Sequence, residues 1–139
     1  MTEKLTKQID DIKSQFIEFS KQCGNPNSNA PRNRWLQSED ISLYLRKQLT
    51  IEDGEFAYHL CIGSIDISSA YQKQGVFTEI ITYLEQNISH FRYISVECLM
   101  NEHLERYLTK RGYVPYKRPA HTDHYFDVHL TNKPLSLEG

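Results

Sequence analysis

A chain of 139 residues with 39% hydrophobic and 24% charged side chains has the size and composition of one globular domain, able to bury roughly two-thirds of its unfolded surface. Its net charge of −2 argues against a protein held on nucleic acid or an anionic membrane by bulk charge, and no apolar run is long enough to cross a bilayer. Cys23, Cys61 and Cys98 are odd in number and lack CxxC spacing, which argues against a disulfide framework or a zinc knuckle.

The N-terminus, Met1-Thr2-Glu3-Lys4-Leu5, has no apolar segment of the secretory kind. The expectation is a cytoplasmic protein with reduced thiols, Cys61 and Cys98 being buried in strands. Residues 3–22 predict an amphipathic helix, because Leu5, Ile9, Ile12, Phe16 and Phe19 recur at spacings of four and three. That stripe suits packing on the chain's own core; the other reading is a two-helix seam in a homodimer. It covers too few heptads to argue a coiled coil. Residues 23–34 are rich in turn formers and predict a loop.

Ile41 to Ile51 alternates as a strand, and Glu52-Asp53-Gly54-Glu55 is a turn signal. Phe56 to Ser68 returns as a second, antiparallel strand, with a bulge expected at Gly63. Gln72-Lys73-Gln74-Gly75 then leads into a helix over 76–88, with Val76, Ile80, Ile81, Leu84 and Ile88 on one stripe. Tyr93 to Leu99 alternates as a central strand parallel to the one before the helix, which makes a βαβ unit. Asn101 can cap a helix with Leu104, Tyr107 and Leu108 inward and Gly112 as its stop. Tyr113–Lys117 and Tyr125–Leu130 predict a closing antiparallel pair, followed by a loose tail. The sum is a single α/β domain over 1–139, a mixed sheet of about six strands with helices on both faces.

The stretch from Gln72 to Thr78 carries the most chemistry. A strand hands the chain to a glycine turn that opens into a helix, so unpaired N–H groups and the positive end of a helix dipole converge. Such a place binds phosphate; the plain alternative is that Gly75 only lets the chain turn. With one glycine it is no dinucleotide fingerprint, and it lacks the Gly-Lys-Ser/Thr of a Walker loop.

In its order of elements, the chain resembles the GNAT superfamily of N-acetyltransferases over residues 57–130. The match runs through Gln72, Gly75, the strand to Leu99, Asn101, Lys110, Gly112 and Tyr113. The resemblance implies that backbone amides from Gln74 through Gly75, Val76 and Phe77 to Thr78 cradle the pyrophosphate of acetyl-CoA. It also implies that the strand edge near Ile67 pairs with the pantetheine arm, with Gln72 and Asn101 as further cofactor contacts. Three departures stand out. Phe77 replaces the usual Gly or Ala. The N-terminal helix and loop replace the elements that shape the acceptor pocket. The tyrosine that family members use as general acid falls at Leu108, while Tyr107 is one position early, about 100° around the helix.

Tyr107 is nonetheless the candidate acid. His59, on the face of Ile67 if no bulge intervenes, and Glu97 are candidate bases for the proton an attacking amine must lose. Cys61 reads as a structural thiol with no cationic partner. His121, Asp123 and His124 lie in a loop and lack a fourth ligand, so no metal is expected. Arg106, Lys110, Arg111, Lys117 and Arg118 read as a solvated face or as a seat for the 3′-phosphate of coenzyme A.

The expected function is transfer of an acetyl group from acetyl-CoA to a primary amine by direct attack in a ternary complex. The acceptor, a small-molecule or peptide amine, is left open, with no membrane or nucleic-acid partner expected. The alternative is a non-catalytic GNAT-like module that acts through protein partners, with the first helix as its surface.

Overall fold

A computed structural model describes residues 1–24, 32–52, 54–97, 102–115 and 130–133. Helix α1 (Glu3–Gly24) precedes a meander of β1 (Asn33–Gln37), β2 (Ile41–Glu52) and β3 (Glu55–Ile67). A 3-10 turn (Ser69–Tyr71) leads to α2 (Val76–Gln86), then β4 (Ile94–Val96), α3 (Glu102–Lys110), β5 (Val114–Pro115) and β6 (Leu130–Thr131). The six strands form one sheet in the order β1-β2-β3-β4-β6-β5. Only β3 and β4, the pair joined through α2, run parallel. This is the expected six-stranded mixed sheet of an α/β domain.

The stripe of α1 lies inside the chain. Leu5, Ile9, Ile12, Phe16 and Phe19 are buried in one core with Ile80, Ile81 and Leu84 of α2 and Leu43, Leu45, Leu60 and Ile62 of the sheet. Phe16 meets Tyr83 of α2 edge to face, ring centroids 6.4 Å apart. Gln8 clamps the helix to the β1–β2 turn. Its amide donates to Asp40 Oδ2 at 2.8 Å and its carbonyl accepts from Asp40 N at 2.7 Å. A seam with a second subunit would need this stripe outside, so the homodimer reading loses its surface.

The region read as a loop is shorter than 23–34. The helix continues to Gly24, and β1 begins at Asn33. Only Leu36 of that strand is buried, so no periodicity announces it. Strand β4 lies where the alternation from Tyr93 placed a central strand, and it is buried on both sides: Tyr93, Ile94, Ser95 and Val96 are all buried.

The bulge falls where expected. Tyr44 pairs with Ser64 and Leu45 with Ile62, which leaves Gly63 as the extra residue. A Cβ at Gly63 would stand 2.8 Å from Tyr44 Cδ1, so the ring takes the room of a side chain. The bulge reverses the facing of everything beyond it. Ile65 and Ile67 pack against the core, whereas His59 and Cys61 lie on the opposite face.

Candidate functional site

The described pairing of β3 with β4 is short. Their last pair is Ile62 with Val96, closed by Glu97 N donating to Ile62 O at 2.9 Å. Strand β3 runs on to Ile67, so among the described residues no strand pairs with its inner edge from Gly63 onward. A cleft of about 530 Å³ opens along that edge. Ile62, Val76 and Val96 line its depth, the turn from Tyr71 to Thr78 forms one wall, and His103, Leu104 and Tyr107 of α3 form another.

The turn is tied from behind. Gln72 Nε2 donates to Ile67 O and Gln74 Nε2 to Ala70 O, both at 2.9 Å. Lys73 (φ 66°) and Gly75 (φ 80°) are both left-handed, the alternation that gathers backbone N–H groups into a concavity. No side chain caps α2 at Gly75, and Val76, Phe77 and Thr78, whose N–H groups have no intrahelical partner, all line the cleft. An ideal Cβ on Gly75 would meet nothing within 4 Å. The glycine is therefore required by its φ, not by crowding.

Of the expected cofactor contacts, Ile67, Gln72, Gly75, Val76, Phe77 and Thr78 border the cleft together. Gln74, expected to contribute its backbone amide, is not among the lining residues, and its side chain turns back to Ala70. Asn101 lies outside the described residues, as do Cys98, the His121–Asp123–His124 segment, Lys117 and Arg118. Phe77 directs its ring at Tyr107, edge to face, with centroids 5.6 Å apart at 76°.

Tyr107 borders the cleft while Leu108 is fully buried. The tyrosine's hydroxyl accepts from Arg111 Nη1 at 3.1 Å. Arg111 also donates Nε to both Glu85 oxygens at 3.1 Å and Nη2 to Thr82 Oγ1 at 2.8 Å. Tyr113 Oη donates to Glu85 Oε2 at 2.8 Å. Burial opposes the charge of Glu85, but the hydrogen bonds from Arg111 and Tyr113 outweigh it and hold the carboxyl below the usual carboxylate range. Burial, then Glu85 itself, pushes the Tyr113 phenol well up. Arg111 is thus an internal strut between α2 and α3. Arg106 is paired with Glu102 at 3.3 Å. Of the basic face read as solvated or as a 3′-phosphate seat, Arg106 and Lys110 are exposed and Arg111 is tied into the helix pair.

The two candidate bases separate. His59 is buried and stacked on Tyr93, rings 4.6 Å apart and 10° from parallel. The bulge at Gly63 breaks the even spacing that would have put it on the face of Ile67. Glu97 borders the cleft, with its side chain 11% exposed and ion-paired to Arg46. The expectation that Cys61 lacks a cationic partner is corrected, since Arg46 Nη2 lies 3.4 Å from its sulfur. Burial still dominates and pushes the thiol up to about 11, so no thiolate nucleophile exists at neutral pH.

Lys73, within the stretch read as the phosphate turn, lines the cleft too, and so do Ser64, Asp66, Tyr71 and His103, which were not singled out from sequence. Ser64 and Asp66 alternate with Ile65 and Ile67 beyond the bulge, a signal legible only once the bulge is placed. Among the described residues no three His, Cys, Asp or Glu side chains come together as a metal site.

A mixed sheet whose one parallel pair among the described strands, β3 and β4, is joined through a glycine turn and α2 has the element order of the GNAT fold. No family model and no curated protein matches the chain. Among solved structures, NAA60 of Arabidopsis thaliana in complex with a bisubstrate analogue aligns with 79% of this chain and 70% of its own, at 13% identity and a TM-score of 0.52. The KacTA–DNA complex aligns at 15% identity and a TM-score of 0.48, over 66% of this chain and 57% of that one. AtaT, bound to the C-terminus of the antitoxin AtaR and acetyl-CoA, aligns at 12% and 0.47, over 66% and 58%. The chain thus spans less than three-fifths of these last two. The likeness to NAA60 shows the fold and no more.

Proposed function

We propose that this protein is an N-acetyltransferase that takes its acetyl group from acetyl-CoA. The observation that carries the reading is the coincidence, on one cleft, of an uncapped, left-handed glycine turn and a strand edge that no other described strand pairs with beyond Ile62. The turn fits a doubly charged pyrophosphate, and the residues for it are Lys73, Gly75, Val76, Phe77 and Thr78. The edge of β3 fits the amide-bearing pantetheine arm. Ile67 O already accepts from Gln72, so the backbone groups of Gly63 to Asp66 serve that edge. Acetyl-CoA supplies the activated acyl group; the protein supplies placement and a dry, polar-edged cleft.

The acceptor is a primary amine on a small molecule or a peptide. It must lose a proton to attack. Of the two carboxylates on the cleft among the described residues, Asp66 and Glu97, Glu97 is the one to take that proton, and the pair with Arg46 fixes where it sits. Tyr107 holds a phenolic proton at the α3 wall for the sulfur that leaves. Neither group becomes covalently attached. The competing reading, a module that keeps the fold without catalysis, no longer has α1 to offer as a partner surface.

Calorimetric titration with acetyl-CoA and with its 3′-dephospho analogue tests the cofactor half. Release of free thiol from acetyl-CoA in the presence of a polyamine, an aminoglycoside or a short peptide with a free N-terminus tests the transfer. Micromolar binding that is lost in Gly75→Glu, with thiol release dependent on one amine, is the expected outcome. Absence of binding in the parent protein would overturn the reading.

A further inference from the structure

The Arg111–Tyr107 contact has a chemistry that its structural role does not require. A strut between α2 and α3 is complete with Glu85 and Thr82, which already take Nε and Nη2 of the guanidinium. Its remaining nitrogen, Nη1, reaches Tyr107 Oη at 3.1 Å. That bond is always donated by arginine, which has no acceptor. The phenol oxygen therefore accepts along one direction, and its own proton is turned away from the guanidinium. Tyr107 borders the cleft on the same wall as Leu104 and His103. Its ring angle is set by the edge-to-face contact with Phe77.

We propose that Arg111 is a positioning residue for Tyr107, holding the phenol as a hydrogen-bond donor toward the cleft and compensating the negative charge left on its oxygen when the proton departs. This rests on the acetyltransferase reading above. The balance is simple. The O–H bond of Tyr107 breaks, its proton passes to the leaving sulfur, and the phenolate oxygen is left 3.1 Å from a permanent cation. The amine's surplus proton, taken up at Glu97, restores the phenol through solvent at the end of the turnover, so no net charge accumulates. Glu85 fixes Arg111 by a two-nitrogen contact, which keeps the guanidinium from swinging into the cleft itself.

The test is a double-mutant cycle on kcat with Tyr107→Phe and Arg111→Met, read with acetyl-CoA and whichever amine of the panel turns over. Thr82→Val serves as the structural control, since it removes one strut contact and leaves Nη1 in place. If Arg111 acts through Tyr107, each single variant loses on the order of 10²-fold in kcat with KM for acetyl-CoA within about threefold. The double variant then loses no more than the worse single, while Arg111→Lys recovers part of the loss and Thr82→Val stays within about twofold. A second readout needs no cofactor. The ¹³Cζ signal of Tyr107 in the free protein moves in Arg111→Met and stays in Thr82→Val. Independent, multiplicative losses, or a Tyr107 signal indifferent to Arg111→Met, overturn this assignment alone. A parent protein that neither binds acetyl-CoA nor releases thiol overturns the acetyltransferase reading and this assignment with it.

Discussion

The ring of Phe77 stands edge-on to the ring of Tyr107, 5.6 Å between centroids and 76° between planes. This contact joins the phosphate turn at the start of α2 to the cleft wall of α3. It explains how a bulky residue is accommodated where a small one is usual in the GNAT signature. The turn needs the N–H of position 77, and the side chain is free to pack elsewhere.

Phe77→Ala therefore separates the two roles. It gives up an aromatic pair worth about 0.5–1.5 kcal/mol beyond the buried area and lowers the melting temperature. Coenzyme A affinity, measured by calorimetry, stays within roughly threefold. A tenfold loss of affinity at unchanged stability would mean the ring itself contacts the ligand.

Gly75 sits at φ 80° with open space above it. Gly75→Ala should cost about 1–2 kcal/mol from the left-handed backbone alone, and Gly75→Asn less, because Asn tolerates that region. Thermal melts of the pair decide it; equal stability of Ala and Gly would show that the turn relaxes.

Gly63 is constrained differently, by the Tyr44 ring 2.8 Å from where its Cβ would be. Gly63→Ala must displace that ring and its neighbour Trp35, whose centroid lies 4.9 Å from that of Tyr44. An overpacking cost of about 1–3 kcal/mol is expected, and Tyr44→Ala in the same chain should relieve most of it. Chemical denaturation of the two variants checks both statements.

Cys61 gives a pH prediction. Burial pushes its thiol from 9.0 up to about 11. The protonated form is thus favoured in the folded protein. Its contribution to stability is complete below pH 9 and declines as pH rises from there through 11. Native protein at pH 8 should leave Cys61 unlabelled by a thiol reagent, with labelling appearing only on unfolding. Rapid labelling in the native state would contradict its burial.

Glu85 has the opposite sign. Held below its ordinary value near 4.5 by Arg111 and Tyr113 against the cost of burial, it contributes stability above that pH. The contribution is lost as pH falls through the lower folded value. Glu85→Gln should destabilise the protein at pH 7 and flatten the fall in stability on acidification. An acid limb as steep as the parent's would assign that fall to other carboxylates.

The helices and the two long strands were legible in the chain because each carries one strong period. The bulge at Gly63 was legible too, since glycine inside a strand pattern has few other uses. Strand β1 was not, as its single buried residue, Leu36, leaves no alternation to detect. His59 was misplaced for a related reason. A one-residue insertion inverts every face beyond it, and the parity that put His59 on the face of Ile67 was counted straight through that glycine.

Local order thus settled the helices and the two long strands of this protein, the glycine turn at the head of α2 and the apolar stripe of α1, because these depend on neighbours a few residues apart. Tertiary structure alone decided that Glu97 meets Arg46, that Arg111 reaches Tyr107 and Glu85, and that the inner edge of β3 beyond Ile62 faces a cleft rather than another described strand. Those relations join residues from separate elements. Side chains and backbone edges far apart in the chain meet only when the sheet has twisted and packed, and no spacing along the sequence records that distance.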